Sequence, residues 1–146
     1  GHADRPWGRI EQSRTIVVSC ARGTILFVKH NSPCHIEIEV SDLGRSQEFY
    51  GTLFGWRFST FIPNMVVFGI GDEHIGGLMK VDRVEPGRSP SVWYRVKDLD
   101  AIFALATSNG GSSLEPKGEV PGVGWSAVIA DPDGNRVGLV MYTEDV

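Results

Sequence analysis

Strict alternation of apolar and polar residues marks two segments of the chain, residues 35–40 (HIEIEV) and 91–96 (SVWYRV). Alternation with a period of two predicts a strand that has one buried face and one polar face. Each segment is followed by an acidic residue, Asp42 or Asp98, and then by apolar residues at helical spacing. Because acidic side chains favour helix starts, the pattern predicts a strand followed by a helix in both halves.

Three further strands are predicted after each helix. They cover residues 57–62, 65–70 and 74–81 in the first half, and residues 112–114, 124–130 and 136–142 in the second. Gly55 and Gly110 follow the two helices, as expected for left-handed C-terminal caps. The chain therefore repeats a β-α-β-β-β module, at about residues 34–82 and 90–143. We expect one α+β domain, residues 34–146, in which each helix covers one face of a sheet and the other face forms a concave pocket.

An N-terminal extension, residues 1–33, lies outside the repeat. Within it, two strand-forming segments, residues 15–19 and 24–28, are split by Ala-Arg-Gly, which predicts a β-hairpin. We interpret this hairpin as an addition to a sheet edge or to a dimer interface, and a lid over the pocket is the alternative. Because it adds apolar strand surface that needs covering, we expect a homodimer.

Composition narrows the classes of protein further. The 146 residues are 41% hydrophobic, which suits one globular domain with a core. The net charge of -4 is unlike the basic footprint of a nucleic-acid binder. No apolar run reaches the roughly 18 residues that span a bilayer, and runs such as residues 25–28 and 65–68 are strand-sized, so no membrane partner is expected. Only Cys20 and Cys34 carry thiols, which favours free cysteines in a reducing cytoplasm.

An Asp-Pro-Asp-Gly turn at residues 131–134 joins two strand-forming segments and predicts a hairpin. Far upstream, a strand ends in residues 40–43 (VSDL), and a helix carries residues 49–50 (FY) and closes on residues 53–56 (LFGW). Together these motifs resemble the vicinal oxygen chelate superfamily, which includes glyoxalase I, bleomycin-resistance proteins and extradiol dioxygenases. The likeness covers about residues 34–142. It implies two paired modules whose cupped mixed sheet encloses a ligand, whereas activity differs between members: they isomerise, oxidise, conjugate or only bind.

The resemblance also implies where the metal-dependent members hold a divalent ion, with one ligand from the first strand and one from the last strand of each module. Carried over by position, these places are His35, a site within residues 75–79, Ser91 and Gly138. Divalent ions of this kind need imidazole nitrogens and carboxylate oxygens, and only His35 offers one. We therefore expect no bound metal and no other cofactor.

Alternation also predicts which side chains face the cup. The apolar positions of the two alternating strands must face the helices, so the other positions face the cup. On the first strand these are His35, Glu37 and Glu39. On the second strand these are Ser91, Trp93 and Arg95. A floor of imidazole, carboxylate, hydroxyl, indole and guanidinium groups suits a small polar or aromatic ligand.

Two candidate roles follow for these residues. His35 and Glu37 are neighbours on one strand face, where a carboxylate can raise the basicity of an imidazole for acid–base catalysis. Ser91, Trp93 and Arg95 are candidate ligand-binding residues, and so is Trp125, which follows a Pro-Gly-Val-Gly segment at the expected pocket rim. The structural alternatives are a hydrogen-bonded His35, an internal Glu37–Arg95 salt bridge and indoles that only pack.

Three functions remain open on this basis. The first is a metal-free glyoxalase/bleomycin-resistance-like protein that binds a small organic molecule in its cup. The alternative is a metal-independent lyase or isomerase that uses His35 and Glu37 as acid and base. The third is a structural or regulatory module. A binder leaves its ligand unchanged in mass, which separates the first two.

Overall fold

The structure, a computed structural model, describes residues 28–146. The predicted hairpin at residues 15–19 and 24–28 lies outside the described residues apart from Val28, so the homodimer that rested on it stays a prediction. The elements, numbered in chain order within this range, are β1 (Ser32–Val40), α1 (Leu43–Phe54), β2 (Arg57–Ile62), β3 (Met65–Ile70), β4 (Glu73–Lys80), β5 (Ser91–Arg95), α2 (Leu99–Ser108), β6 (Ser112–Val120), β7 (Gly124–Ala130), β8 (Arg136–Tyr142) and a short 3₁₀ helix (Thr143–Asp145).

The eight strands form one sheet in the order β2-β3-β4-β1-β5-β8-β7-β6. β1 and β5 pair antiparallel at its centre, and each pairs in parallel with the last strand of its own module, β4 or β8. The two modules are therefore arranged alike on either side of the β1–β5 seam. This confirms the predicted α+β fold of two βαβββ modules on a mixed sheet.

The predicted helix ends are confirmed with one difference. Asp42 and Asp98 each accept a hydrogen bond from the backbone N–H three residues on, at 2.9 and 3.0 Å. Gly55 caps α1 with φ of 69°. The C-cap of α2 is instead Asn109, and Gly110 follows it with φ of 93°. Among the described residues, neither helix is long and apolar enough to cross a membrane.

The strand that differs most from expectation is β6, which runs to Val120 rather than ending at residue 114. Its sequence contains Pro116 and Gly118, which are untypical of strands. β6 is an edge strand, where proline is tolerated, and its pairing with β7 shifts register twice. Pro116 and Gly118 therefore conceal the second half of this strand from a sequence pattern, and the edge position explains why the strand tolerates them.

The predicted Asp-Pro-Asp-Gly hairpin joins β7 and β8. The Asp131 carboxylate accepts hydrogen bonds from the N–H groups of Asp133 and Asn135 and from the Asn135 side chain, at 2.8–2.9 Å. These hydrogen bonds, led by the one from the Asn135 side chain, hold the pKa of Asp131 below its usual value. Gly134 completes the turn with φ of 88°. The turn sets the β7–β8 register and so decides which residues face the cup.

Two buried clusters lie between the sheet and its helices. Under α1 the buried residues are Val40, Val66, Phe68 and Leu78. Under α2 they are Val96, Leu99, Ala127, Ile129 and Leu139. Since these apolar side chains occupy the helix side of the sheet, the alternate positions of the same strands point to the concave side.

Candidate functional site

The concave face of the sheet encloses a cavity of about 390 Å³ that both modules line. Of the residues predicted to face it, His35, Glu37, Glu39 and Trp93 do so. Its apolar wall includes Phe61, Met65, Val67, Val140 and Tyr142. This volume lies in the range of pockets for small molecules, which typically combine an apolar lining with a few polar groups.

His35 lies at the centre of a row of polar groups, Glu37–His35–His74, which we call the histidine row. His35 Nδ1 lies 2.7 Å from His74 Nε2, and His35 Nε2 lies 3.5 Å from a Glu37 carboxylate oxygen. The two imidazole rings stack with their centroids 5.0 Å apart. His74 thus fixes the orientation of His35, while the longer separation on the other side leaves His35 Nε2 without a short hydrogen bond to Glu37.

Burial, together with the nearby His35, lowers the pKa of His74 from 6.5 to about 3. His74 is therefore neutral near pH 7, and the 2.7 Å contact is a hydrogen bond in which one imidazole donates and the other accepts. A neutral, partly buried His74 is therefore a positioning group for His35.

His74 was not predicted to belong to the site. A register irregularity between Phe68 and Gly69 pairs Gly69 with His74 in the β3–β4 hairpin. Such an irregularity changes which face of the strand a side chain occupies. Alternation counted from Leu78 therefore does not predict that the His74 side chain faces the cup. The glycines at positions 69, 71 and 76 were the available signal, because glycine inside a strand often marks a bulge.

Titration of His74 gives a testable pH dependence. Below about pH 6.5 the unfolded chain takes up a proton at this residue that the folded protein does not, so stability falls as the pH falls. We expect His74 to lower the free energy of unfolding by about 2 kcal/mol between pH 7.5 and pH 5. His74→Gln, which cannot titrate, should remove this part of the fall in urea unfolding measured across that range.

The matched control for this prediction is His30→Gln. His30 is an exposed histidine whose side chain contacts Asp145 at 2.6 Å, and its replacement should leave the pH-dependent fall assigned to His74 in place. Equal pH profiles for the wild type and His74→Gln would show that His74 titrates normally in the fold.

Trp93 lies across the cup floor. Its indole N–H donates a hydrogen bond to the Ser91 hydroxyl at 3.2 Å, and its ring meets the His35 ring edge-on at 6.4 Å. A Cβ at Gly138 would overlap the Trp93 ring, so the absence of a side chain at Gly138 makes room for the indole. Ser91, predicted to contact a ligand, is not among the residues that line the cavity and instead holds Trp93 in place.

The fold family implies a divalent ion in such a cup, and the residues present do not fit one. The four equivalent positions are His35, Gly77, Ser91 and Gly138. Gly77 pairs with Glu37 in the first module as Gly138 pairs with Trp93 in the second. A Cβ at Gly77 would overlap the Met65 methyl group, so thioether and indole fill the space beside both glycines. Within residues 28–146 no three His, Cys, Asp or Glu side chains are grouped to hold a metal ion.

Arg95 does not contribute to the cavity lining as the sequence analysis expected. Its guanidinium contacts Asp145 at 2.7 and 3.1 Å and donates to the Val28 carbonyl at 2.7 Å. It also lies 5.8 Å from the centre of the Tyr142 ring. Burial raises the pKa of Asp145, but hydrogen bonds from Arg95 and His30 outweigh this and leave it below its usual value. Arg95 therefore holds the 3₁₀ helix that contains Asp145 against the sheet. The expected salt bridge between Arg95 and Glu37 is not found in the described part of the chain.

Trp125 lies on the opposite face of the sheet from the cup. It packs against the buried cluster under α2, and the Lys117 ammonium lies 5.9 Å from its ring centre. The next residue, Ser126, lines the cavity instead. The expectation that Trp125 closes the pocket rim is thus corrected, because the β7–β8 register assigns this position to the helix face.

Two ion pairs complete the cavity lining. Glu39 on β1 pairs with Arg88, a residue of the linker between the modules, at 3.0 Å. Ser89 of the same linker accepts a hydrogen bond from the Glu39 N–H at 3.2 Å. Across the cup, Glu115 pairs with Arg136 at 2.8 Å. None of Arg88, Glu115 and Arg136 was predicted from the sequence to belong to the site.

Comparison with known protein sequences matches parts of the chain to a bleomycin-resistance-like family model and to glyoxylase-named proteins. A family model described as "Bleomycin resistance protein-like N-terminal" matches residues 34–71. A glyoxylase-named protein, CFP32, of Mycobacterium tuberculosis is 34% identical over 90 residues, and so is its Mycobacterium bovis counterpart. That match covers 59% of this chain, and the chain spans about a third (34%) of the length of these curated relatives.

Solved structures show the same fold at low sequence identity. An extradiol ring-cleaving dioxygenase from B. fuscum matches with a TM-score of 0.63 and 24% identity, over 79% of this chain and 33% of that chain. Methylmalonyl-CoA epimerase from M. tuberculosis gives 0.60 and 19%, over 81% and 93%. The Mn(II)-bound glyoxalase from Novosphingobium aromaticivorans gives 0.58 and 18%, over 79% and 40%. These likenesses establish the fold and leave the activity of this chain undetermined.

Proposed function

We propose that this chain, a member of the vicinal oxygen chelate superfamily, binds a small organic molecule in its cup without a metal ion. The observation that carries the proposal is that two of the four metal-ligand positions are glycines, Gly77 and Gly138. The Met65 and Trp93 side chains fill the space beside them. What remains is a cavity of about 390 Å³ with an aromatic floor, apolar walls and the histidine row. Such a lining suits recognition of an organic molecule better than coordination of an ion.

The test of this proposal combines metal analysis with extraction. After exposure to zinc, nickel and manganese, the dialysed protein is expected to hold well below one ion per chain by elemental analysis. Mass spectrometry of the small molecules extracted from the purified protein is expected to find one that rebinds unchanged. A stoichiometric ion removable by EDTA would contradict the metal-free proposal, and a protein that yields and rebinds no small molecule would contradict binding.

One observation favours metal-independent acid–base catalysis as a second candidate. In the histidine row, His74 holds the ring of His35 through Nδ1, while Nε2 faces the cavity beside Glu37 with no short hydrogen bond to it. His35 could take a proton from a carbon next to a substrate carbonyl and return it to another position, with Glu37 stabilising the imidazolium. The same extraction experiment separates the candidates, because an isomerase or lyase converts the rebound molecule into a different compound.

A further inference from the structure

The charged groups of the cup do not cancel. Within residues 28–146, five charged side chains line the cavity: Glu37, Glu39, Glu115, Arg88 and Arg136. Glu39 pairs with Arg88 and Glu115 pairs with Arg136, which neutralises four of them. Glu37 is left with only His35, at 3.5 Å, and an imidazole is a counter-ion only when protonated. Among the described residues, Glu37 has no arginine or lysine partner.

The position of Glu37 makes this excess charge costly. Its side chain is 22% exposed and projects from the middle of β1 into the cup. A carboxylate held partly away from water without a cationic partner is destabilising, and an ion brought to it from outside gains by pairing with it. The ligand that complements the cup therefore supplies one positive charge at Glu37.

The remainder of the lining describes the rest of that ligand. Near Glu37, the indole of Trp93 and the imidazole of His35 form an aromatic floor. The facing wall carries Phe61, Met65 and Val67. These surfaces bury an apolar or aromatic body, and cations are attracted to indole faces. A cavity of about 390 Å³ restricts that body to roughly one or two rings.

We propose that the ligand of the cup is a small organic amine whose protonated nitrogen pairs with Glu37 and whose apolar or aromatic body lies between Trp93 and the Phe61 wall. This inference rests on the proposed binding function and names its ligand class. It also predicts discrimination, because an anionic group placed at the same point meets the Glu37 carboxylate at close range.

Three probes that share a phenylethyl body and differ in the charge of their polar end test the ligand class: 2-phenylethylamine, 2-phenylethanol and 3-phenylpropanoate, titrated into the full chain at pH 7.5 by calorimetry. We expect affinity to decrease in that order. Glu37→Gln should weaken the amine by about tenfold to a hundredfold, the range of a charge-assisted hydrogen bond, and leave the alcohol within about twofold.

Glu115→Gln is the matched control, because Glu115 lines the same cavity but is 56% exposed and already paired with Arg136. It should change the affinity of the amine by no more than about threefold. Tighter binding of the alcohol or the acid, or an unchanged amine affinity in Glu37→Gln, would overturn the amine class while cup binding stands. Absence of binding by all three probes also overturns the amine class, and the extraction experiment then decides separately whether the cup binds another molecule.

Discussion

Replacing Arg95 by alanine is expected to lower the free energy of unfolding by about 3 to 5 kcal/mol, one of the two largest effects that the structure predicts. The Arg95 and Asp145 side chains are only 10% and 2% exposed, and they contact each other at 2.7 Å. Arg95→Ala leaves the Asp145 carboxylate buried without its main partner, which costs far more than the loss of an exposed ion pair. Urea unfolding at pH 7 measures the change directly.

The control is Lys117→Ala, which removes an ion pair with Asp100 whose side chains are 36% and 76% exposed. That change should cost no more than about 1 kcal/mol. Arg95→Lys keeps the charge but loses the planar guanidinium that donates two hydrogen bonds to a carboxylate. Its loss of unfolding free energy should lie between those of Arg95→Ala and Lys117→Ala. If Arg95→Ala were as stable as Lys117→Ala and instead weakened ligand binding, Arg95 would return to the ligand-binding role that the sequence suggested.

Much of this fold is predictable because its signals are local. The period-two alternation of β1 and β5, the capping carboxylates of Asp42 and Asp98 and the Asp-Pro-Asp-Gly turn each act within a few residues. Alternation also predicts, correctly, that His35, Glu37 and Trp93 share the cup, since the apolar face of each strand has to meet a helix. The resemblance to a two-module family then follows from the repetition of one local pattern.

The parts of the site that the sequence analysis missed depend on distant partners or on register. Arg95 faces the concave side by parity, but Asp145, fifty residues away, takes it out of the cavity lining. His74 reaches His35 only because the β3–β4 pairing is irregular. Trp125 follows a glycine-rich segment that does not fix where β7 begins, so the sequence does not show which face of β7 the Trp125 side chain occupies. In each case a contact between separate elements outweighs the local pattern.

Gly76 lies on β4 directly beside the backbone of β1, and Gly76→Ala is the second substitution with a large expected effect. Gly76 pairs with Ile36, and a Cβ at Gly76 would overlap the Ile36 carbonyl oxygen and lie 2.8 Å from its Cγ1 atom. A backbone atom cannot rotate aside, so the two strands must separate. Overpacking of this kind costs about 3 kcal/mol. The next residue, Gly77, makes room for the Met65 methyl group on the cup side of the same strand.

Gly118→Ala provides the comparison, because Gly118 also lies within a strand but no atom lies within 4 Å of a Cβ built there. That substitution should be neutral or stabilising by up to about 1 kcal/mol, since alanine restricts the unfolded chain. The β1–β4 pairing also holds His35 and Glu37 of one strand beside His74 of the other. Gly76→Ala should therefore weaken ligand binding along with stability, whereas Gly118→Ala should change neither by much. Equal unfolding free energies for the two variants would show that β1 and β4 separate at little cost, and that this close approach does not hold the histidine row together.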